Sequence, residues 1–277
     1  MRLLFFLALL PLISVRALGQ QVCAQLPTAF SAGEELYYRV SYRWGIVRAN
    51  AGAVSLTADT LTRNGQPLYH FVAIGRTTPR YDIVYRVRDR FESLARRVDL
   101  RPVQYLRDTD DGGFKVYNNN FFDHRALRAV AWRRRDGVER VKDTIAIHAC
   151  TYDAVSMFYN ARSIDMDSLA KGERLGLSVY LDEKVYDLMV RYVGLEEVKL
   201  KRSRYRCHRV VTEVIAGSVF DKDAEMTVWF TADDNRVPVL IEAPLRVGRV
   251  RAELTGAKGL RHELSAVPEA ARAVQTR

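Results

Sequence analysis

Asp89 and Glu92, in the stretch Arg88-Asp89-Arg90-Phe91-Glu92, are close enough in sequence to invite acid and base chemistry. Their odd spacing places them on opposite faces of a strand. Glycoside hydrolysis needs two carboxyl groups that converge on one bond, so this pair does not supply it. Asp89 falls in step with Ile83, Tyr85, Val87 and Phe91, which makes it an inward carboxylate interrupting an apolar row. Buried charge needs a partner. Arg86, Arg88 and Arg162 are the candidates, and a structural Asp89–Arg162 ion pair is the expectation rather than catalysis.

Asp153, Ser156, Tyr159 and Arg162 recur at spacings of three in Thr151-Tyr152-Asp153-Ala154-Val155-Ser156, a drifting polar line on one side of a helix. A nucleophilic serine needs an adjacent base and an oxyanion hole, and Ser156 has neither a Gly-x-Ser-x-Gly setting nor a neighbouring His. Asp153 suits the first turn of a helix, where its charge meets the helix dipole. Tyr159 and Arg162 carry the sharper expectation, that they line the mouth of a ligand cavity. Trp44 joins them as an aromatic candidate, although Trp44, Trp132, Trp229, 14 Tyr and 11 Phe also suit plain core packing.

No metal site is expected, because the five His are scattered without ligand spacing. Asp233-Asp234-Asn235 lacks the rest of a calcium loop and stands before Arg236-Val237-Pro238, the composition of a β-turn. Nothing in the chain calls for a cofactor, and no motif fixes a reaction, so the expectation is a protein that is not an enzyme. Three cysteines, Cys23, Cys150 and Cys207, allow one disulfide, and Cys23 with Cys150 is the pairing expected.

Around these residues the pattern is that of strands. Glu35 to Val47 alternates apolar and polar residues, Ala51 to Thr57 and Leu68 to Ile74 follow it, and Asn64-Gly65 marks a hairpin turn. Ile83 to Leu94, Val103 to Arg107, Phe114 to Phe122 and Ala126 to Arg133 continue the meander, with Asp111-Gly112-Gly113 as a further turn. Thr151 to Ile164 reads as the one helix, capped by Thr151. A second series of strands runs from Gly176 to Leu254. The fold expected is mainly β: a large curved antiparallel sheet forming an incomplete barrel or a two-sheet sandwich, with one packed helix. The division expected is a signal peptide over residues 1–19 and a β domain over 20–264. That domain has halves of about 30–150 and 171–257 joined by helix 151–164, and a frayed or disordered tail, 265–277, follows it.

Arg2, the apolar run Leu3 to Val15 and the small-residue stretch Ala17-Leu18-Gly19 have the form of a secretory signal. The run is too short for a comfortable membrane span of about 20 residues, and no later segment is long and apolar enough, so the mature chain is expected without a transmembrane segment. A net charge of +10 is spread over many segments. In an exported chain it points to anionic lipid headgroups or glycans, not to nucleic acid. Trp132-Arg133-Arg134-Arg135 at a hairpin end is the densest such segment, and solvation alone accounts for it.

Several stretches together resemble a known family: Ala32-Gly33-Glu34-Glu35-Leu36-Tyr37-Tyr38 with Tyr42-Arg43-Trp44-Gly45; Tyr85-Arg86-Val87-Arg88-Asp89-Arg90-Phe91-Glu92-Ser93; Thr151 to Ser156 with Tyr159 and Arg162; Val228-Trp229-Phe230-Thr231 through Pro238; and Val247-Gly248. In this order they are similar to the DUF3108 family of exported Gram-negative proteins, in a form like that of Bacteroidetes. Ser203 stands where relatives tend to carry Gly. The resemblance implies a β-rich protein of the cell envelope, in the periplasm or on the periplasmic face of the outer membrane, and carries over no catalytic residue. The function expected is a binding or chaperone-like module for an apolar or amphipathic envelope component, with a lipid, glycolipid or envelope protein as partner. The alternatives are an interaction protein of an outer-membrane assembly and an envelope hydrolase.

Overall fold

The structure is a computed structural model that describes Cys23 and residues 26–135, 138–201, 203–213, 225–245 and 247–268. The expected signal segment 1–19 and residues 269–277 of the tail lie outside the described residues. β1 (Glu34–Trp44), β2 (Val47–Arg63) and β3 (Gln66–Thr77) lead through a one-turn helix, α1 (Pro79–Asp82), into β4 (Val87–Arg96), β5 (Pro102–Asp111), β6 (Phe114–Asp123), β7 (Arg128–Arg135) and β8 (Val138–Ala146). β9 (Thr151–Asp153) then runs directly into α2 (Ala154–Arg162). A 3-10 turn over Met166–Ser168 precedes β10 (Arg174–Leu181), β11 (Lys184–Leu200), β12 (Ser203–Glu213), β13 (Glu225–Thr231), β14 (Pro238–Pro244), β15 (Arg249–Lys258) and β16 (Ala266–Pro268).

All these strands belong to one sheet, in the order β8-β7-β6-β5-β4-β3-β2-β1-β15-β14-β13-β12-β11-β10-β9, with β16 paired to β12. Neighbours are antiparallel except β9 and β10. The two strand series therefore meet in one sheet, where Arg39 pairs with Glu253 across β1 and β15. Its terminal strands, β8 and β9, are consecutive in sequence, joined by Ile147 to Cys150. So short a link spans at most about 18 Å, which curls the sheet until its edges approach. The edges do not pair, and the barrel stays incomplete. Side chains bridge the gap instead: Tyr180 Oη donates to Asn120 Oδ1 at 3.0 Å, Asn118 Nδ2 donates to Glu183 Oε1 at 3.0 Å, and Arg133 pairs with Glu183.

The hairpin at Asn64-Gly65 uses left-handed backbone at both positions, φ 51° and 74°, as a two-residue turn with the right twist requires. Three local expectations are corrected. Ile83 to Tyr85 are not strand: Pro79, suited to a first helical turn, starts α1, and pairing begins only at Val87. Thr151 does not cap the helix, because it lies in β9 with its hydroxyl 3.0 Å from that of Ser178. Asp153 is the cap, its Oδ1 accepting from the amides of Val155 and Ser156 while its own amide donates to Ser156 Oγ at 3.1 Å. In the tail, Ala266–Pro268 form a strand on β12.

The largest core lies inside the curl, where Leu36, Leu56, Phe71 and Tyr105 of the β1–β5 wall meet Val155 and Tyr159 of α2. The Tyr159 ring stacks on that of Phe71, centroids 4.0 Å apart, and tilts against Phe30 at 4.8 Å. Such pairs add about 0.5–1.5 kcal/mol beyond area burial. Cys23 and Cys150 are joined by a disulfide across 127 residues of sequence, which ties the N-terminal segment to the link between β8 and β9.

Candidate functional site

The helix inside the barrel has two faces with different chemistry. One turns to the β1–β4 wall. There Arg162, fully buried, donates from Nη1 to Glu34 Oε1 at 2.5 Å and from Nη2 to Glu34 Oε2 at 2.8 Å. Two further donors, on Nη2 and Nε, reach Ala29 O and Asn235 O, each at 3.0 Å. Burial pulls the guanidinium pKa down, but Glu34 more than reverses this, and the net shift is upward. The Asp89–Arg162 ion pair is thus corrected to Glu34–Arg162. Glu34 occupies the start of β1 beside the turn at Gly33, and the Arg162 end of the pair is fixed by its two backbone acceptors.

Asp89 stays on the inner wall of β4 without that partner, and its Oδ1 is buried with no hydrogen bond. Burial first, then the neighbouring carboxylate of Asp111, pushes its pKa up to about 6. Asp153 is also raised to about 6 by burial, against the lowering effect of bonds from Ser93 and the helix amides. Tyr159, wholly buried, keeps its hydroxyl unbonded against the same wall, and burial holds that hydroxyl well above the ordinary tyrosine range. Neither Tyr159 nor Arg162 lines a cavity mouth. Trp44 is remote from both, exposed at the end of β1.

The second face of α2 presents Ala154, Met157, Phe158 and Ala161 to an apolar cavity of about 230 Å³. Their spacing of three, one and three makes a single helical stripe. The opposite wall is the inner face of the C-terminal strands: Leu175 and Leu177 of β10, alternate residues Leu188, Val190 and Tyr192 of β11, and Val210 of β12. Met226, Val228 and Phe230 of β13 complete it, while Ile164, Met166 and Leu169 after the helix close one end. Along β11 the cavity spans four residue steps, about 13 Å at strand rise. Among its lining side chains only Tyr192 and Thr212 carry oxygen. Tyr192 Oη lies 2.9 Å from Nδ1 of His208, which sits on the same face of β12 as Val210, beside Phe230 at the closed end, and burial lowers the His208 pKa.

Such a lining has no pair of titratable groups converging on a bound atom. Among the described residues no group of three or more His, Cys, Asp or Glu is arranged to hold a metal ion. Asp233 organises a turn, accepting from Thr231 Oγ1 at 2.7 Å and from the Asn235 amide at 3.0 Å. Cys207 is a buried thiol, raised to about 12 by burial. What the cavity can do is desolvate an apolar group. The strand alternation Leu188, Val190, Tyr192 was the available signal for its wall, but nothing in one strand's pattern tells a filled interior from an open one.

The chain belongs to the DUF3108 family, a family of proteins of unknown function, whose model matches residues 37–255. No curated protein is similar to it in sequence. Among solved structures, a β-barrel-like protein of the DUF1849 domain of unknown function from Brucella abortus is similar, with a TM-score of 0.55 at 8% identity, covering 86% of this chain and 99% of its own. An exported protein with a YmcC-like fold from Bacteroides fragilis gives a TM-score of 0.32 at 10% identity, over 86% of this chain and all of its own. Among the described residues no helix is long and apolar enough to cross a membrane.

Proposed function

We propose that this chain is a non-enzymatic binding module of the cell envelope that shelters an apolar or amphipathic component, with the apolar part held between α2 and the β10–β14 wall. The observation that carries the reading is the cavity itself, about 230 Å³ of space with an almost wholly hydrocarbon lining inside the barrel. Several of its lining side chains, Met157, Phe158, Leu188 and Met226 among them, remain partly exposed. Apolar surface left open in this way is stabilised by an apolar guest. The signal-like N-terminus and the Cys23–Cys150 disulfide support an oxidising compartment outside the cytoplasm.

Native mass spectrometry of the protein isolated gently from an envelope extract, with lipid extraction of the same sample, tests the reading. A stoichiometric acyl-chain adduct supports it. A bare protein that also fails to take up added lipid sinks it.

A further inference from the structure

In an antiparallel meander every second turn falls at the same end of the sheet. The turns β7–β8, β5–β6, β3–β4 and β1–β2 therefore share one rim of the barrel. The β14–β15 turn joins them, since Arg43 pairs with Arg249 and Tyr42 Oη donates to Val247 O at 2.8 Å. This rim carries large apolar side chains in the open: Trp44, Ile46, Ile83, Val84, Phe114 and Val247, with Ile46 99% and Ile83 88% exposed. The opposite rim has only Val98, Leu127 and Leu26 among described residues of this kind, and its turns are built from such residues as Asn64-Gly65 and Asp233-Asp234-Asn235.

The same rim is basic. Arg43, Arg80, Arg86 and Arg249 stand exposed between the apolar tips. Of the carboxylates at this rim, Asp82 pairs with Arg88 and Glu242 with both Arg249 and Arg251, while Asp110 and Asp111 stand at the β5–β6 turn, so the arginines outnumber the acids that face them. The Met226 end of the cavity lies towards this rim. Thr212 pairs with both Val190 and Met226, next to the rim ends of β12 and β13, and Leu188 and Met226 are partly exposed there; at the far end Met166 and Phe230 are buried, with Ile164 and Leu169 partly exposed.

We infer that this rim is a docking surface for a bilayer containing anionic lipid: the turn tips enter the headgroup region, the arginines meet lipid phosphates, and the cavity mouth faces the membrane. Trp with aliphatic tips flanked by arginine is the chemistry of an interfacial anchor. A protein partner would call for one continuous apolar patch with a polar border, whereas here apolar and basic residues alternate along a ring of separate turns. The inference rests on the cavity reading for its purpose but is tested apart from it.

The experiment is flotation with phosphatidylcholine vesicles and with vesicles of phosphatidylcholine and phosphatidylglycerol in equal parts, beside titration of each protein with a dansyl-labelled fatty acid in vesicle-free solution. The wild-type chain should float with the mixed vesicles and much less with the neutral ones. The W44S/I46S and I83S/V84S variants should lose flotation by about tenfold or more, the effect of withdrawing buried large side chains, while L127S at the other rim keeps it. All should take up the fatty acid alike, which also shows that they are folded. Flotation that is absent, or that falls equally in L127S, overturns the docking surface even where the fatty acid still binds. Rim-dependent flotation without fatty-acid uptake upholds the docking surface and overturns the cavity reading alone.

Discussion

Arg162 and Glu34, 128 residues apart, form a bidentate ion pair with neither side chain exposed to solvent. It fastens the C-terminal turn of α2 to the first residue of β1, and so fixes which face of the helix is left for the cavity. Removing one partner leaves the other charge buried and unpaired, at a cost of about 3–5 kcal/mol. Glu34→Met should lower stability by this amount in urea unfolding. Adding Arg162→Met should cost less than the sum of the single changes, because the stranded charge is gone. Only the acceptors Ala29 O and Asn235 O are then left without their donor, at about 1–3 kcal/mol each.

Asp89 should make stability depend on pH in the opposite sense to most carboxylates. Its pKa is raised in the folded state, from the ordinary 3.8 to about 6, so the folded chain holds the proton more tightly than the unfolded one. Its contribution is fully present below about pH 4 and is lost as pH rises through about 6. Asp89→Asn should therefore raise the urea midpoint at pH 7 relative to wild type, with little difference at pH 4. Midpoints measured at the two pH values check this, and an advantage for the variant that grows at low pH would contradict it.

The disulfide predicts a third outcome. Cys23 and Cys150 close a loop of 127 residues, and cross-links of that span stabilise by about 4–5 kcal/mol in the loop-entropy account. Thermal unfolding with and without reductant should show a lower midpoint on reduction. Cys23→Ser should reproduce the reduced value and no longer respond to reductant.

The meander was legible in the sequence because each strand carries its own alternation, and Asn64-Gly65 announces a turn by backbone chemistry alone. The helix was visible but misplaced at its start: Thr151 and Asp153 are both capping residues, and only the parallel pairing of β9 with β10 assigns the cap to Asp153. Asp89 was correctly read as inward, yet its expected partner was wrong. Ion-pair partners are set by how the sheet curls, and Glu34, in a polar turn sequence, gives no sign that it is buried. The cavity was least legible. Its lining comes from residues scattered between 154 and 241, each with the apolar type that a filled core would also use.

The most direct test of the account is titration of the delipidated protein with a dansyl-labelled fatty acid, comparing wild type, Val190→Trp and Tyr159→Phe. Val190 projects into the cavity, whereas Tyr159 faces the opposite wall. Wild type and Tyr159→Phe should bind saturably with similar affinity, and Val190→Trp, which fills the space, should bind about tenfold or more weakly while retaining its circular dichroism. Absence of saturable binding by wild type, or equal binding by a folded Val190→Trp, would contradict the account.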